Sequence, residues 1–190
     1  GLVKVRQQLP DILEDAENDL TMAARIIFAD LQEQLMEWDK QVTTYGEKIQ
    51  AVHRASEVSQ RLSDVPGIGP ITATALLAAL GDGKAFTSAR QVAAWLGLVP
   101  RQDSSGGKPK LLGISKRGDV YLRTLLIHGG RAVVNAAAKK DDAQSRWINE
   151  LVKRRNINIA AVAVANKNAR IVWALLTKSV EYGVSASSRV

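Results

Sequence analysis

Two adjacent serines, Ser104 and Ser105, precede Gly106-Gly107 in a stretch rich in cations: Arg101, Lys108, Lys110, Lys116 and Arg117. A serine that attacks a phosphodiester needs exposure, backbone freedom to approach phosphorus, and positive charge to stabilise the transition state. This segment supplies all three. A Ser-Ser-Gly-Gly run is also what a flexible surface loop looks like, so residue types alone leave that reading open. No histidine stands beside the serines to act as base; the chain has only His53 and His128.

A second constellation lies upstream, in Asp64-Val65-Pro66-Gly67-Ile68-Gly69-Pro70. Two glycines around one apolar residue, ahead of an alanine-rich helix, predict a helix-hairpin-helix. Gly67 and Gly69 permit backbone angles that other residues resist and allow close approach to a phosphate. Amides at the start of the second helix then face an anion, with Thr72 adding a hydroxyl. Such a unit grips the DNA backbone without reading bases. The same residues could form a plain helix–helix corner. The third cluster, Gly113 to Arg123, is a cationic turn opening a helix, with Lys116, Arg117 and Arg123 as phosphate contacts and Ser115 as a candidate N-cap. Asn166 to Arg170 reads as a polar stripe open to solvent or nucleic acid, His128 as a buried hydrogen-bonded histidine, and Trp95, Trp147 and Trp173 as core anchors.

Composition bounds these readings. The 190 residues are 46% hydrophobic and 24% charged, with no cysteine, which excludes disulfides and thiolate metal sites. No cluster of three or four acids is present, so the chain cannot by itself build a two-metal nuclease site. Residues 1–64 carry 7 Lys/Arg and 12 Asp/Glu, whereas residues 65–190 carry 19 Lys/Arg and 7 Asp/Glu. That split predicts a polyanion partner for the second part only. The longest near-apolar stretch, Ile157 to Ala165, is short for a bilayer and holds Asn158, and the acidic N-terminus is unlike a signal peptide. The expectation is a cytoplasmic protein with no membrane partner.

The elements that must position these groups are mostly helical. Ala24, Phe28, Leu31, Leu35, Trp38, Val42, Tyr45, Ile49 and Val52 alternate spacings of four and three, a heptad seam that favours a coiled coil. Gly46 lies off the seam and costs roughly 1 kcal/mol relative to alanine. A short helix near Pro10 to Glu17, with Pro10 in its first turn, is expected before it. The seam predicts a homo-oligomer; an intramolecular hairpin is the alternative. Further helices are expected at 71–80, 88–96, 117–138, 143–153 and 159–178, with 98–114 irregular apart from a small hairpin at Gly106-Gly107. The predicted division is a coiled-coil arm at 1–63, a basic domain at 64–180 and a frayed tail at 181–190.

Three blocks, DVPGIGPITATALLAALGD, QVAAWLGLVPRQDSSGGKPKLLGISKRGDVYLRTLLIHGGRAVV and NKNARIVWALL, resemble the insertion-sequence transposases of the IS110/IS1111 group, the bridge-RNA-guided recombinases. The likeness covers roughly residues 60–180, and the heptad helix resembles that family's coiled-coil region. The resemblance implies an N-terminal RuvC-like domain with an acidic Mg²⁺-binding tetrad, joined to a transposase domain whose nucleophilic serine lies in a Ser-Gly pair. That pair falls on Ser105-Gly106, with Ser104 as the fallback. It further implies DNA and guide-RNA partners, assembly as dimers or tetramers, nucleoid association, and serine-mediated strand cleavage and rejoining. The RuvC-like domain is absent from this sequence, so the chain is expected to be a C-terminal piece, inactive alone. The alternative function is a noncatalytic helix-hairpin-helix module for DNA binding and oligomerisation; a third is a scaffold whose basic face meets RNA.

Overall fold

The computed structural model describes residues 2–105, 108–178 and 182; side chains of residues 2, 3, 5, 103–105 and 108–111 lie outside the description. The chain is mostly helical and divides into two units, residues 1–48 and 49–190.

The first unit holds α1 (Leu2–Glu14) and most of α2 (Met22–Ala55). Pro10 sits inside α1, beyond the first turn where it was expected; helix starts upstream, at Leu2. Arg25 ties the connection together: its guanidinium donates to Leu13 O at 2.8 Å, Asp15 O at 2.7 Å and Asn18 Oδ1 at 2.6 Å. Arg6 reaches Asp39 at 2.7 Å. No residue of α2 is buried, and the seam stays open: Trp38 is 58% exposed, Val42 71% and Tyr45 60%.

The second unit begins within α2, not at residue 64, because α3 (Glu57–Ser63) belongs to its core. Leu62 and Ser59 are fully buried, and His53 Nδ1 meets Ser59 Oγ at 2.8 Å. After α3 come α4 (Pro70–Leu80), α5 (Ala89–Trp95), the strands β1 (Pro100–Ser105) and β2 (Lys108–Ile114), then α6 (Val120–Ala137), α7 (Ala143–Arg154) and α8 (Ile157–Lys178). The strands form one antiparallel hairpin over most of the segment expected to be irregular.

Helices α6 and α8 form the centre. Gly130 lets them approach closely, since a Cβ there would lie 2.5 Å from Ala161 O. Leu76, Val92, Leu96, Leu126, Val172 and Leu175 fill the main core. Helix α8 is long and apolar enough to cross a membrane by length and composition, with mean hydropathy 1.3, yet Ala165 is fully buried in this core and Ala160, Ala161 and Val164 in a second cluster with Val134, Ala137 and Ile148. Its hydropathy is that of a central helix.

Several anchors differ from expectation. Trp95 and Trp147 are 39% and 37% exposed, and His128 is exposed. Trp173 does anchor, its Nε1 donating to Gly83 O at 3.1 Å and Phe86 O at 3.2 Å. Tyr182, expected in a frayed tail, is half-buried against the core and its hydroxyl donates to Gln144 Oε1 at 3.3 Å; residues 181 and 183–190 lie outside the described residues.

Asp142 caps α7, accepting from Ser145 N at 3.0 Å and Ser145 Oγ at 2.6 Å. The Ser145 hydroxyl first, and its amide second, hold the carboxyl below the usual aspartate range. With a depressed folded pKa, this contribution is complete above the unfolded value and disappears as pH falls through the folded one. Asp142→Asn is therefore expected to flatten the loss of helix signal below about pH 4, followed by circular dichroism; identical acid profiles would remove the cap from the account.

Candidate nucleic-acid interface

The serines close β1. Backbone register sets Ser105 across from Lys108, Ser104 across from Pro109, and Asp103 across from Lys110. The side chains of Ser104, Ser105, Lys108 and Lys110 lie outside the described ones, as do Gly106 and Gly107 entirely. At the base of the hairpin the register shifts between Pro100 and Gln102, a bulge of the kind that twists a ribbon. Arg101, within the bulge, is exposed.

The hairpin base is bonded to the basic turn. Ser115 N donates to Val99 O at 2.8 Å and Lys116 N to Gly97 O at 3.1 Å. Two glycines make this contact possible. Gly97 has φ +71° and a Cβ there would lie 2.2 Å from Arg117 O; Gly118 has φ +115° and a Cβ would lie 1.8 Å from Trp95 O. Lys116 itself has φ +56°, and Gly118 with φ +115° lies outside the right-handed helical region, so helix cannot begin at residue 117 as expected. It begins at Val120 with Asp119 as N-cap, whose carboxylate accepts from Leu122 N at 2.8 Å. Ser115, the expected cap, instead accepts from Arg117 N at 3.4 Å. The outcome is a tightly held turn that presents Lys116 and Arg117 to solvent.

Arg123 differs from the expected phosphate contact. It is 8% exposed, and its Nη1 donates to Leu96 O at 3.3 Å and Gly118 O at 3.5 Å. A guanidinium at the end of α5 meets the negative end of that helix and joins it to the turn. It positions Lys116 and Arg117 from behind.

The Gly67–Gly69 turn divides in the same way. Gly67 has φ +88° and faces α6, where a Cβ would lie 2.7 Å from Gly129 O; a Cβ on Gly129 would in turn lie 1.8 Å from Gly67 O. Its freedom serves packing, not approach to a phosphate. Ile68 is 3% exposed, wedged into the core, and Thr72 is 7% exposed, buried with it. Gly69 alone is open, with nothing within 4 Å of a built Cβ, and it is the N-cap of α4. Thus the turn offers the first-turn amides of α4 beyond Pro70, and no side chain from Gly67 or Thr72.

Asn168, placed by sequence in an open polar stripe, is fully buried and donates to Pro66 O at 2.8 Å, which ties α8 to the turn. Sequence reading missed Gly97 and Gly118 as clamps; glycines bracketing a basic turn were the available signal.

The chain matches the model of the "Transposase IS116/IS110/IS902 family" over residues 59–146. It is 53% identical over 156 residues to a "Probable family 20 transposase" of Pseudomonas aeruginosa, covering 82% of this chain and 46% of that protein. To the transposase for insertion sequence element IS1111A of Coxiella burnetii it is 45% identical over 186 residues, covering 98% of this chain and 51% of that protein. A "Pilin gene-inverting protein" of Moraxella bovis is 32% identical over 105 residues, covering 50% of this chain and 33% of that protein. The chain spans about half the length of the first two relatives. Identity of this extent, over nearly the whole chain, means that it belongs to the IS116/IS110/IS902 transposase family.

Proposed function

We propose that this chain is the nucleophile-bearing part of a DNA transposase. Ser105 attacks a DNA phosphodiester through Oγ and forms a phosphoserine ester while the deoxyribose oxygen leaves; attack by a DNA hydroxyl on that ester rejoins the strand and frees the serine. Ser104 is the fallback. The observation that supports the reading is that Ser105 ends β1, in a strand pair whose base is bonded to the turn bearing Lys116 and Arg117. Arg101, Lys108, Lys110, Lys116 and Arg117 supply charge to the phosphates, and the start of α4 at Gly69 adds backbone amides.

Among the described residues no three of His, Cys, Asp or Glu cluster to hold a metal. These residues do not fit Mg²⁺, which is assigned to a RuvC-like partner domain, as the family likeness implies. A guide RNA belongs to the same assembly. Self-association runs through the exposed α2 seam, where Leu31 and Val42 are uncovered. Leu35→Asp with Val42→Asp is expected to convert an oligomer to monomer in light scattering; an unchanged mass would remove the seam from assembly.

In a full-length relative carrying this region, Ser105→Ala is expected to abolish covalent protein–DNA adducts and recombination, with DNA affinity within about twofold. Recombination by the mutant would shift the role to Ser104 or, if Ser104→Ala is also active, leave a noncatalytic DNA-binding and oligomerisation module.

A further inference from the structure

Away from the Gly67 turn, the second unit carries a groove of about 1280 Å³ between α8 and the hairpin. One face of α8 forms its floor, with Val162, Asn166, Arg170 and Ala174 recurring every fourth position. Pro100, Leu112 and Ile114 form the opposite wall, and Trp147 and Arg155 also line the groove. From Asn158 to Ala174 the floor runs for about 24 Å at the helical rise. Lys116, Arg155, Lys167 and Arg170 line it, and no acidic residue does so among the described residues.

We infer that this groove seats a single, unpaired strand of DNA and leads it to the serine hairpin, a reading that rests on the proposed function. Four cations without a countercharge call for a polyanion. The aliphatic floor calls for something apolar as well. A duplex hides its base faces in the stack and offers mainly phosphates at its surface, so it would leave the floor uncovered. An unpaired strand offers both phosphates and bare base and sugar surface. Trp147, 37% exposed, is the one aromatic side chain among the described lining residues, and Lys167 Nζ sits over its ring, 4.8 Å from the centroid, so that an incoming base meets ring and cation together.

The strand is DNA because the groove runs on into the hairpin whose serine, in the proposed function, attacks a DNA phosphodiester. The volume also exceeds the roughly 300–1,000 Å³ of small-molecule pockets. An acidic amphipathic helix would satisfy charge and floor too. Continuity decides for the strand, because Leu112 and Ile114 belong to the hairpin that carries Ser105, and Lys116 belongs to both the basic turn and the groove.

The test uses the 190-residue chain with fluorescein-labelled oligodeoxynucleotide, the RNA of the same sequence, and the DNA duplex, read by anisotropy over a salt series. Lys167→Ala/Arg170→Ala is expected to weaken single-strand DNA binding at least tenfold at low salt and to lower the log–log salt slope by about 1.4. Duplex affinity should stay within twofold. Trp147→Ala is expected to lose about tenfold for the single strand at an unchanged slope. Thermal melts of both variants confirm folding. Recombination by Ser105→Ala would sink the proposed function alone, whereas these strand affinities read the groove alone, so the two fail separately. Equal losses for duplex and single strand would overturn the inference, as would parental RNA binding at least as tight as DNA binding. Unchanged strand affinity in both variants would overturn it too; if self-association fell instead, the groove would go to an acidic arm of a second copy.

Discussion

Gly129→Ala is expected to destabilise the second unit by on the order of 3 kcal/mol or more, and to lower its melting temperature by about 10 °C. The added Cβ would lie 1.8 Å from Gly67 O, a backbone atom that cannot rotate away. Gly67→Ala meets the same wall from the other side, 2.7 Å from Gly129 O, and carries the added strain of φ +88°. Relief would require α6 to back off from the turn, and α6 is held on its neighbouring face by the contact of Gly130 with Ala161. Two successive glycines in a helix therefore serve two different neighbours, one the turn and one α8. Gly69→Ala is the contrasting variant. Nothing lies within 4 Å of its Cβ, so it should fold, with a loss of about 1 kcal/mol or less as the N-cap changes. If the α4 start grips phosphate, Gly69→Ala lowers duplex affinity with the melt nearly intact. A parental melting curve for Gly129→Ala would refute the interlock.

Arg123→Leu should cost about 2–3 kcal/mol, because it strips the donor from two carbonyls, Leu96 O and Gly118 O, in a site 8% exposed. Its effect on DNA should follow from the turn it supports. Affinity is expected to fall together with stability, and Arg123→Lys, which keeps one cation but loses the planar fork, should restore part of both. A variant that melts like the parent yet loses DNA binding would make Arg123 a phosphate contact after all. The distinction matters for reading other basic residues here, since a cation in a basic stretch can face inward to hold a turn as readily as outward to meet a ligand.

Periodicity made most helices legible. The α2 seam, the run Pro70–Leu80 and the segments at α5, α6, α7 and α8 follow from apolar spacing, a local feature, whereas the cap that starts α6, Asp119 in place of Ser115, came from the structure. The charge split between the two parts is likewise a property of composition. The Ser-Gly pair and its surrounding cations were visible as residue types, and the blocks around them were enough to mark the family.

What the chain order left open was direction. Whether Arg123 and Thr72 face a ligand or the core, and whether Gly67 opens toward phosphate or closes against α6, depends on which distant backbone comes alongside, here residues near 96, 118 and 129. The same holds for the α8 groove, whose floor and wall come from segments more than forty residues apart, Ile114 and Asn158 being the nearest in sequence. Helical and strand periods set which residues share a face, whereas only close packing between remote elements decides which of those faces is covered.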